Sequence, residues 1–239
     1  MNSNSQTGNQ SAFNAYADGY DAALDQGLSI SGEDKNYFAR GRIAWLAETV
    51  QKLQFQPVSA LDFGCGIGSA TPFLFDLLGV RSVVGLEVSS KSRDIAAAMH
   101  GSERAQFRLL QEYDPSGTID LAFCNGVFHH IPVDQRQSSV EYVFRCIRPG
   151  GLFALWENNP WNPGTRLVMS RIPFDRDAVT LTPPETRRLL RTVGFEVIRT
   201  DFLFIFPRIL KWLRWTERTV SRFPLGAQYM VLGRKPAAA

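Results

Sequence analysis

Short apolar runs alternate with stretches whose apolar residues recur every three or four positions through the middle of this chain. The runs Val58–Phe63, Ser82–Glu87, Ala105–Leu110, Ile119–Asn125 and Leu152–Glu157 have the length and composition of buried strands. Between them the pattern predicts a helix from Ala70 to Leu78 closed by Gly79, a helix capped by Ser89 and running to His100, and a helix from Gln135 to Ile147. Arg148-Pro-Gly-Gly151 stops the last of these, because neither proline nor paired glycines continue a helix. Strands alternating with helices imply an α/β fold with a mostly parallel sheet and helices on both faces.

The rhythm changes on either side. Ahead of it, residues 1–11 read as an unstructured polar tail and Phe13–Leu24 as a short helical segment. Ser31 and Asp34 cap a helix through Phe55 with Ile43, Leu46, Val50 and Leu53 on one face. Residues 12–56 are thus an N-terminal helical cap, and 57–239 the main domain. After the fifth strand, Asn158–Pro184 carries five prolines and little periodicity, as a functional loop insertion does. A helix Glu185–Val193, a strand Phe195–Phe202, a helix Arg208–Arg222 and a strand Ala227–Leu232, antiparallel to the sixth, complete a seven-stranded sheet.

The first strand runs into Gly64-Cys-Gly-Ile-Gly68, and the next helix follows within a few residues. A strand, a glycine turn and a helix N-terminus present backbone N–H groups to a ligand that glycine lets approach closely. A nicotinamide dinucleotide fingerprint needs G-x-G-x-x-G; here the third glycine comes one residue early and Ser69 holds its place. That spacing, with acidic Asp62 just before the loop, disfavours an oxidoreductase. Glu87 ends the second strand, where a carboxylate can accept both hydroxyls of a ribose.

Composition narrows the class. With 239 residues, 44% hydrophobic and 21% charged, the chain has enough apolar surface for one domain with a substantial core. No apolar run reaches bilayer length, and the polar N-terminus lacks a leader's apolar region, so the expectation is a cytoplasmic protein. A net charge of +3 does not by itself argue for nucleic acid. The three cysteines, 65, 124 and 146, lie in or beside core elements without metal-type spacing and read as reduced.

Four pieces in order carry a resemblance: Leu61-Asp-Phe-Gly-Cys-Gly-Ile-Gly68, Glu87, Asp120-Leu-Ala-Phe-Cys-Asn-Gly-Val-Phe-His-His-Ile131, and Arg148-Pro-Gly-Gly151 before a strand. Together they resemble the class I S-adenosylmethionine-dependent methyltransferases of small-molecule type. The resemblance implies a Rossmann-like fold and S-adenosyl-L-methionine as cofactor. Its implied binding residues are Asp62, Gly64, Cys65, Gly66 and Gly68, with Glu87 on the ribose, Val88 on the adenine, and Asn125 and Gly126 after the fourth strand. An acid near the adenine amino group follows the third strand in the family; Gln111, Glu112 and Asp114 all offer themselves here, and Glu112 is taken.

The implied reaction moves a methyl group from sulfur to a small-molecule nucleophile, with a hydroxyl preferred over nitrogen or carbon. A hydroxyl keeps its proton at neutral pH, and imidazole suits its removal. His129 and His130, two of the three histidines, follow the fourth strand, and Glu157 ends the fifth. A metal held by His129, His130, Asp134 and Glu157 matches no strong ligand spacing, so the reading is metal-free. Asn158-Asn-Pro-Trp161 reads as a turn opening the loop insertion, and Trp156, Trp161, Arg166 and Arg171 as acceptor-pocket residues.

Over Arg208–Arg222, helical projection gathers Arg208, Lys211, Arg214, Arg218 and Arg222 on one side, with Ile209, Leu210, Trp212, Leu213 and Val220 opposite. Such a helix suits a membrane surface or an anionic or lipid-linked acceptor. The favoured reading is plainer, with the apolar face packed on its own domain. Methylation of RNA or protein remains the alternative, although no RNA-binding module is recognisable.

Overall fold

The computed structural model describes residues 31–172, 175 and 178–237. The tail over 1–11 and the segment Phe13–Leu24 lie outside them. Helix α1 spans Lys35–Lys52 and is capped by the side chain of Asp34, which accepts from Tyr37 N, so it ends short of Phe55. Then follow β1 (Ser59–Phe63), α2 (Thr71–Leu78), β2 (Ser82–Glu87), α3 (Ser90–His100), β3 (Ala105–Leu109), β4 (Ile119–Asn125), α4 (Arg136–Cys146) and β5 (Ile147–Asn158). Ser89 Oγ accepts from Ser92 N at the head of α3, and Gly79 closes α2 at φ 67°, as the pattern predicts. Strand β5 begins earlier than expected: Arg148-Pro-Gly-Gly151 enters it as an irregular start where the β4–β5 register shifts.

The remaining elements are α5 (Pro163–Arg171), α6 (Pro183–Val193), β6 (Glu196–Leu203), a 3-10 segment over Arg208–Thr216, α7 (Glu217–Val220) and β7 (Gln228–Arg234). Helix α5 corrects the reading of Asn158–Pro184 as a stretch without regular structure. Only Thr165 and Met169 of α5 are buried, too little apolar periodicity to announce it, while Asn162 caps it by accepting from Thr165 N. Asn159 is fully buried and fastens the preceding turn, its Nδ2 donating to the carbonyls of Pro224 and Gly226. Helix α6 is set by a full capping box, Thr182 with Glu185, and stops at left-handed Gly194.

The seven strands form one sheet in the order β3-β2-β1-β4-β5-β7-β6, with β7 antiparallel to both neighbours. Strand residues alternate between two cores. Leu61, Phe63, Cys124, Phe153 and Leu155 face the layer of α4 and α6, with Phe128, Val140, Val143 and Leu190. Ala60, Leu121, Phe123, Ala154 and Trp156 face α1 and α2, with Ile43, Leu46 and Leu74. A fully buried side chain of this size contributes roughly 1.5–3 kcal/mol, which is how α1 is held to the sheet. No helix among the described residues is long and apolar enough to cross a membrane.

The segment Arg208–Arg222 departs from expectation. It is a 3-10 segment broken at Leu210 (φ −107°, ψ 24°), followed by the short α7. With three residues per turn, positions i and i+3 eclipse, so Ile209, Trp212 and Trp215 form one row and Arg208, Lys211 and Arg214 another. The apolar row stands in solvent, exposed by 84, 68 and 75%. Of the arginines, Arg214 turns inward to pair with Glu33 at 2.9 Å, while Arg218 pairs with Glu48 at 2.5 Å and Arg208 donates to Gly32 O at the surface. The expected packing of the apolar face therefore holds only in part: Leu210, Leu213 and Val220 are half-buried, whereas Ile209 and Trp212 are not covered.

Candidate active site

The connection after β1 crosses to β2 on one side, and β4 returns to its other side, so the C-terminal ends of β1, β2 and β4 open a crevice at a topological switch point. The glycine loop fills its rim. Gly64 N and Cys65 N both donate to Leu86 O, at 2.8 and 3.0 Å, clamping the loop to β2. Gly64 and Gly68 are in left-handed conformation; a Cβ on Gly64 would stand 2.4 Å from Val127 Cγ2, and one on Gly68 about as close to His100 and Phe107 as atoms allow. A Cβ on Gly66 would meet nothing within 4 Å, which leaves open space over the middle of the loop.

Glu87 ties this rim together. Its Oε2 accepts from Gly66 N at 2.9 Å, and its Oε1 accepts from Val88 N and Ser89 N at 2.8 and 3.0 Å. Asp62 is buried beneath. Desolvation raises its carboxyl to about 7, with the neighbouring Glu87 charge adding to the rise and Arg42 opposing it. Arg42, buried on α1 and donating to Gln228 Oε1, was not found from the sequence, although a lone arginine on the Ile43–Leu46 face is the signal. At the end of β4, Asn125 Oδ1 is buried and unpartnered among the described residues, and Gly126 follows at φ 67°. Gln111, Glu112 and Asp114 all stand exposed after β3, whose last residue, Leu109, pairs with Glu87.

The histidines occupy a single 3-10 turn, Phe128–His130. His129 is buried between two carboxylates. Its Nδ1 meets Glu157 Oε2 at 2.6 Å, and its Nε2 faces Asp175 Oδ1 at 3.4 Å. Glu157 is itself pinned, its Oε1 accepting from Phe128 N at 2.7 Å. Burial alone would lower the His129 pKa, but the Glu157 and Asp175 carboxylates override it and push it up to about 10. His130 Nε2 lies 3.3 Å from the same Asp175 oxygen. The two imidazoles hold the Asp175 carboxyl below its usual range against the opposing effect of burial. Asp175 was not singled out beforehand; its partners lie far away in sequence and no local spacing marks it. Asp134 stands exposed, outside this cluster.

The expected acceptor residues are scattered. Trp156 is fully buried in the layer of α1 and α2, on the opposite face of the sheet from Glu157, so its place is the core. Trp161 is half-exposed before α5, and Arg166 and Arg171 are exposed on it. Cys65, Cys124 and Cys146 are free and buried.

Comparison with known proteins agrees with this architecture. Residues 61–153 match a family model described as a methyltransferase domain. An uncharacterised methyltransferase of Synechocystis is 31% identical over 146 residues, 58% of this chain and 67% of the relative. A trans-aconitate 2-methyltransferase of Azoarcus is 27% identical over 116 residues, 48% of this chain and 45% of that one. Among solved structures, the Haloferax volcanii complex of the Trm112 methyltransferase activator with a methyltransferase matches at a TM-score of 0.62 and 20% identity, covering 94% of this chain and 97% of that one; at that identity it speaks for the fold alone. With the glycine loop, the acid ending β2 and this sheet order in one chain, the protein belongs to the class I S-adenosylmethionine-dependent methyltransferases, and it is an enzyme of that kind.

Proposed function

We propose that this methyltransferase uses S-adenosyl-L-methionine to methylate a hydroxyl of a small-molecule acceptor, with the His129–His130 turn handling the proton. The observation that carries the reading is the buried contact of Glu157 with His129 at 2.6 Å, placed directly after β4 where the crevice opens. A buried carboxylate that fixes one imidazole nitrogen sets the direction of the other.

The crevice fits the cofactor. In this reading Glu87 takes the ribose hydroxyls and Val88 the adenine face, and the open space over Gly66 lets the cofactor come close to the backbone. Gly64, Cys65 and Gly68 shape that approach, Asn125 Oδ1 and Gly126 border it, Glu112 is the candidate for the adenine amino group, and Asp62 supports the loop from beneath. When bound, the cofactor supplies an electrophilic methyl group on a sulfonium. The chain's own work is to orient the acceptor, exclude water and hold the proton that the hydroxyl gives up.

An acceptor of small size is supported by the relative named for trans-aconitate. Trp161, Arg166 and Arg171, on and before α5, are the side chains offered to an anionic acceptor. The outward row of Ile209, Trp212 and Trp215 supports a lipid-linked acceptor met at a membrane surface. The test is the His129→Ala, His130→Ala double variant. Turnover falls by roughly 10²–10⁴ if the turn manages the proton, and an unchanged kcat overturns that role.

A further inference from the structure

We infer that His129, His130 and Asp175 form a binding site for a divalent transition-metal ion of the zinc type, with Glu157 as the group that orients its first ligand. One ligand atom from each of the three residues lies within 4.8 Å of the others. The two distances to Asp175 Oδ1, 3.4 Å from His129 Nε2 and 3.3 Å from His130 Nε2, are informative. Tetrahedral bonds of about 2.0–2.1 Å to nitrogen and oxygen put neighbouring ligands about 3.3–3.5 Å apart. Both contacts have that edge length.

Both are long ion-pair contacts, and Asp175 Oδ1 is buried without a well-aligned hydrogen-bond donor among the described residues. A buried carboxylate oxygen without a donor is costly. An ion between the three groups would satisfy that oxygen and a nitrogen of each imidazole at once.

Glu157 supplies the second half of the argument. Metal-ligating histidines characteristically give their other nitrogen to a carboxylate, which fixes the ring and strengthens the ligand. The 2.6 Å contact of Glu157 with His129 Nδ1 has this form, and the other Glu157 oxygen is occupied by Phe128 N, so Glu157 is not itself a ligand. Two imidazoles and one carboxylate favour a borderline ion over magnesium or calcium, which prefer oxygen alone. Three protein ligands leave a fourth position, as in catalytic rather than structural sites. His130, whose side chain is 16% exposed, is the ligand through which the cluster meets solvent.

The site extends the acceptor reading, because an ion with an open fourth position would polarise a hydroxyl bound there, where that reading places imidazole alone. It is tested without cofactor or acceptor, so failure of either idea leaves the other standing. Protein stripped by a chelator and dialysed is titrated with Co²⁺, and the visible d–d absorption is followed. Saturable bands at one cobalt per chain, displaced by Zn²⁺, are expected. Asp175→Asn, which keeps the shape and removes the charge, weakens binding about tenfold or more. His100→Ala, outside the cluster, leaves it unchanged. Circular dichroism establishes that each variant is folded; if Asp175→Asn is not, His130→Ala at the part-exposed ligand carries the same expectation. Absent bands, or a cobalt affinity unchanged in folded Asp175→Asn or His130→Ala, overturn the proposal.

Discussion

Glu157 and His129 are joined by a 2.6 Å contact, and the second oxygen of Glu157 holds the backbone of the same turn through Phe128 N. One carboxylate therefore fixes both the ring and the backbone of a loop that has no sheet neighbour. Glu157→Ala leaves the Nδ1 of a buried imidazole and a buried N–H without partners and costs on the order of 3 kcal/mol of stability. Urea unfolding measures this. Glu157→Gln, which keeps the oxygen for Phe128 N, recovers part of the loss.

Glu87→Ala separates binding from chemistry. In the proposed reading the carboxylate at the end of β2 holds the ribose, whereas the His129–His130 turn follows β4, so its loss weakens cofactor binding and leaves kcat at saturation little changed. Losing hydrogen bonds to a charged group costs about 1.5–3 kcal/mol, which is roughly a 10–100-fold rise in Kd for S-adenosylhomocysteine. Titration calorimetry reads it directly.

Asp62 makes stability depend on pH. Its folded pKa of about 7 lies above the ordinary carboxylate value of 3.8, so between those values the folded chain holds a proton that the unfolded chain has released. Stability from this group is therefore fully present below about pH 4 and falls as pH rises through 7, by at most about 4 kcal/mol. Asp62→Asn removes that part of the slope. Urea unfolding at intervals from pH 5 to 8, in both proteins, gives the difference.

Gly64 is constrained twice, by φ 73° and by Val127 Cγ2 at 2.4 Å from the position of a Cβ. Gly64→Ala destabilises by about 2–4 kcal/mol, adding left-handed strain to overpacking. Val127→Ala in the same chain restores the overpacking share and not the strain. A double-mutant cycle in urea separates the two.

The parallel half of the sheet was legible because β1, β2, β4 and β5 are apolar runs punctuated by Gly79, Ser89 and Arg148-Pro-Gly-Gly151, which act locally. What was missed had non-local or weak causes. Helix α5 buries only Thr165 and Met169, so its period is faint. The 3-10 winding after Pro207 split the expected apolar face of Arg208–Arg222, since residues that repeat every three put Ile209 and Trp212 in an outward row apart from half-buried Leu210 and Leu213. Alternation along β5 puts Trp156 and Glu157 on opposite faces, which separates two residues assigned to one pocket. Asp175 meets His129 only through the folded chain, and no spacing in the sequence encodes that meeting.

Trp212→Ser with Trp215→Ser tests the exposed row. Both side chains are solvent-facing, so stability stays within about 0.5 kcal/mol. Co-sedimentation with anionic phospholipid vesicles is expected of the parent protein and falls in the variant.

Methyl transfer to a small molecule is tested most directly with methyl-labelled S-adenosylmethionine, the purified protein and an extract of the source cells. The products are separated into aqueous small-molecule, lipid, RNA and protein fractions and each is counted. The account predicts label in the aqueous or lipid fraction, lost with Glu87→Ala at limiting cofactor. Label confined to RNA or protein would contradict it.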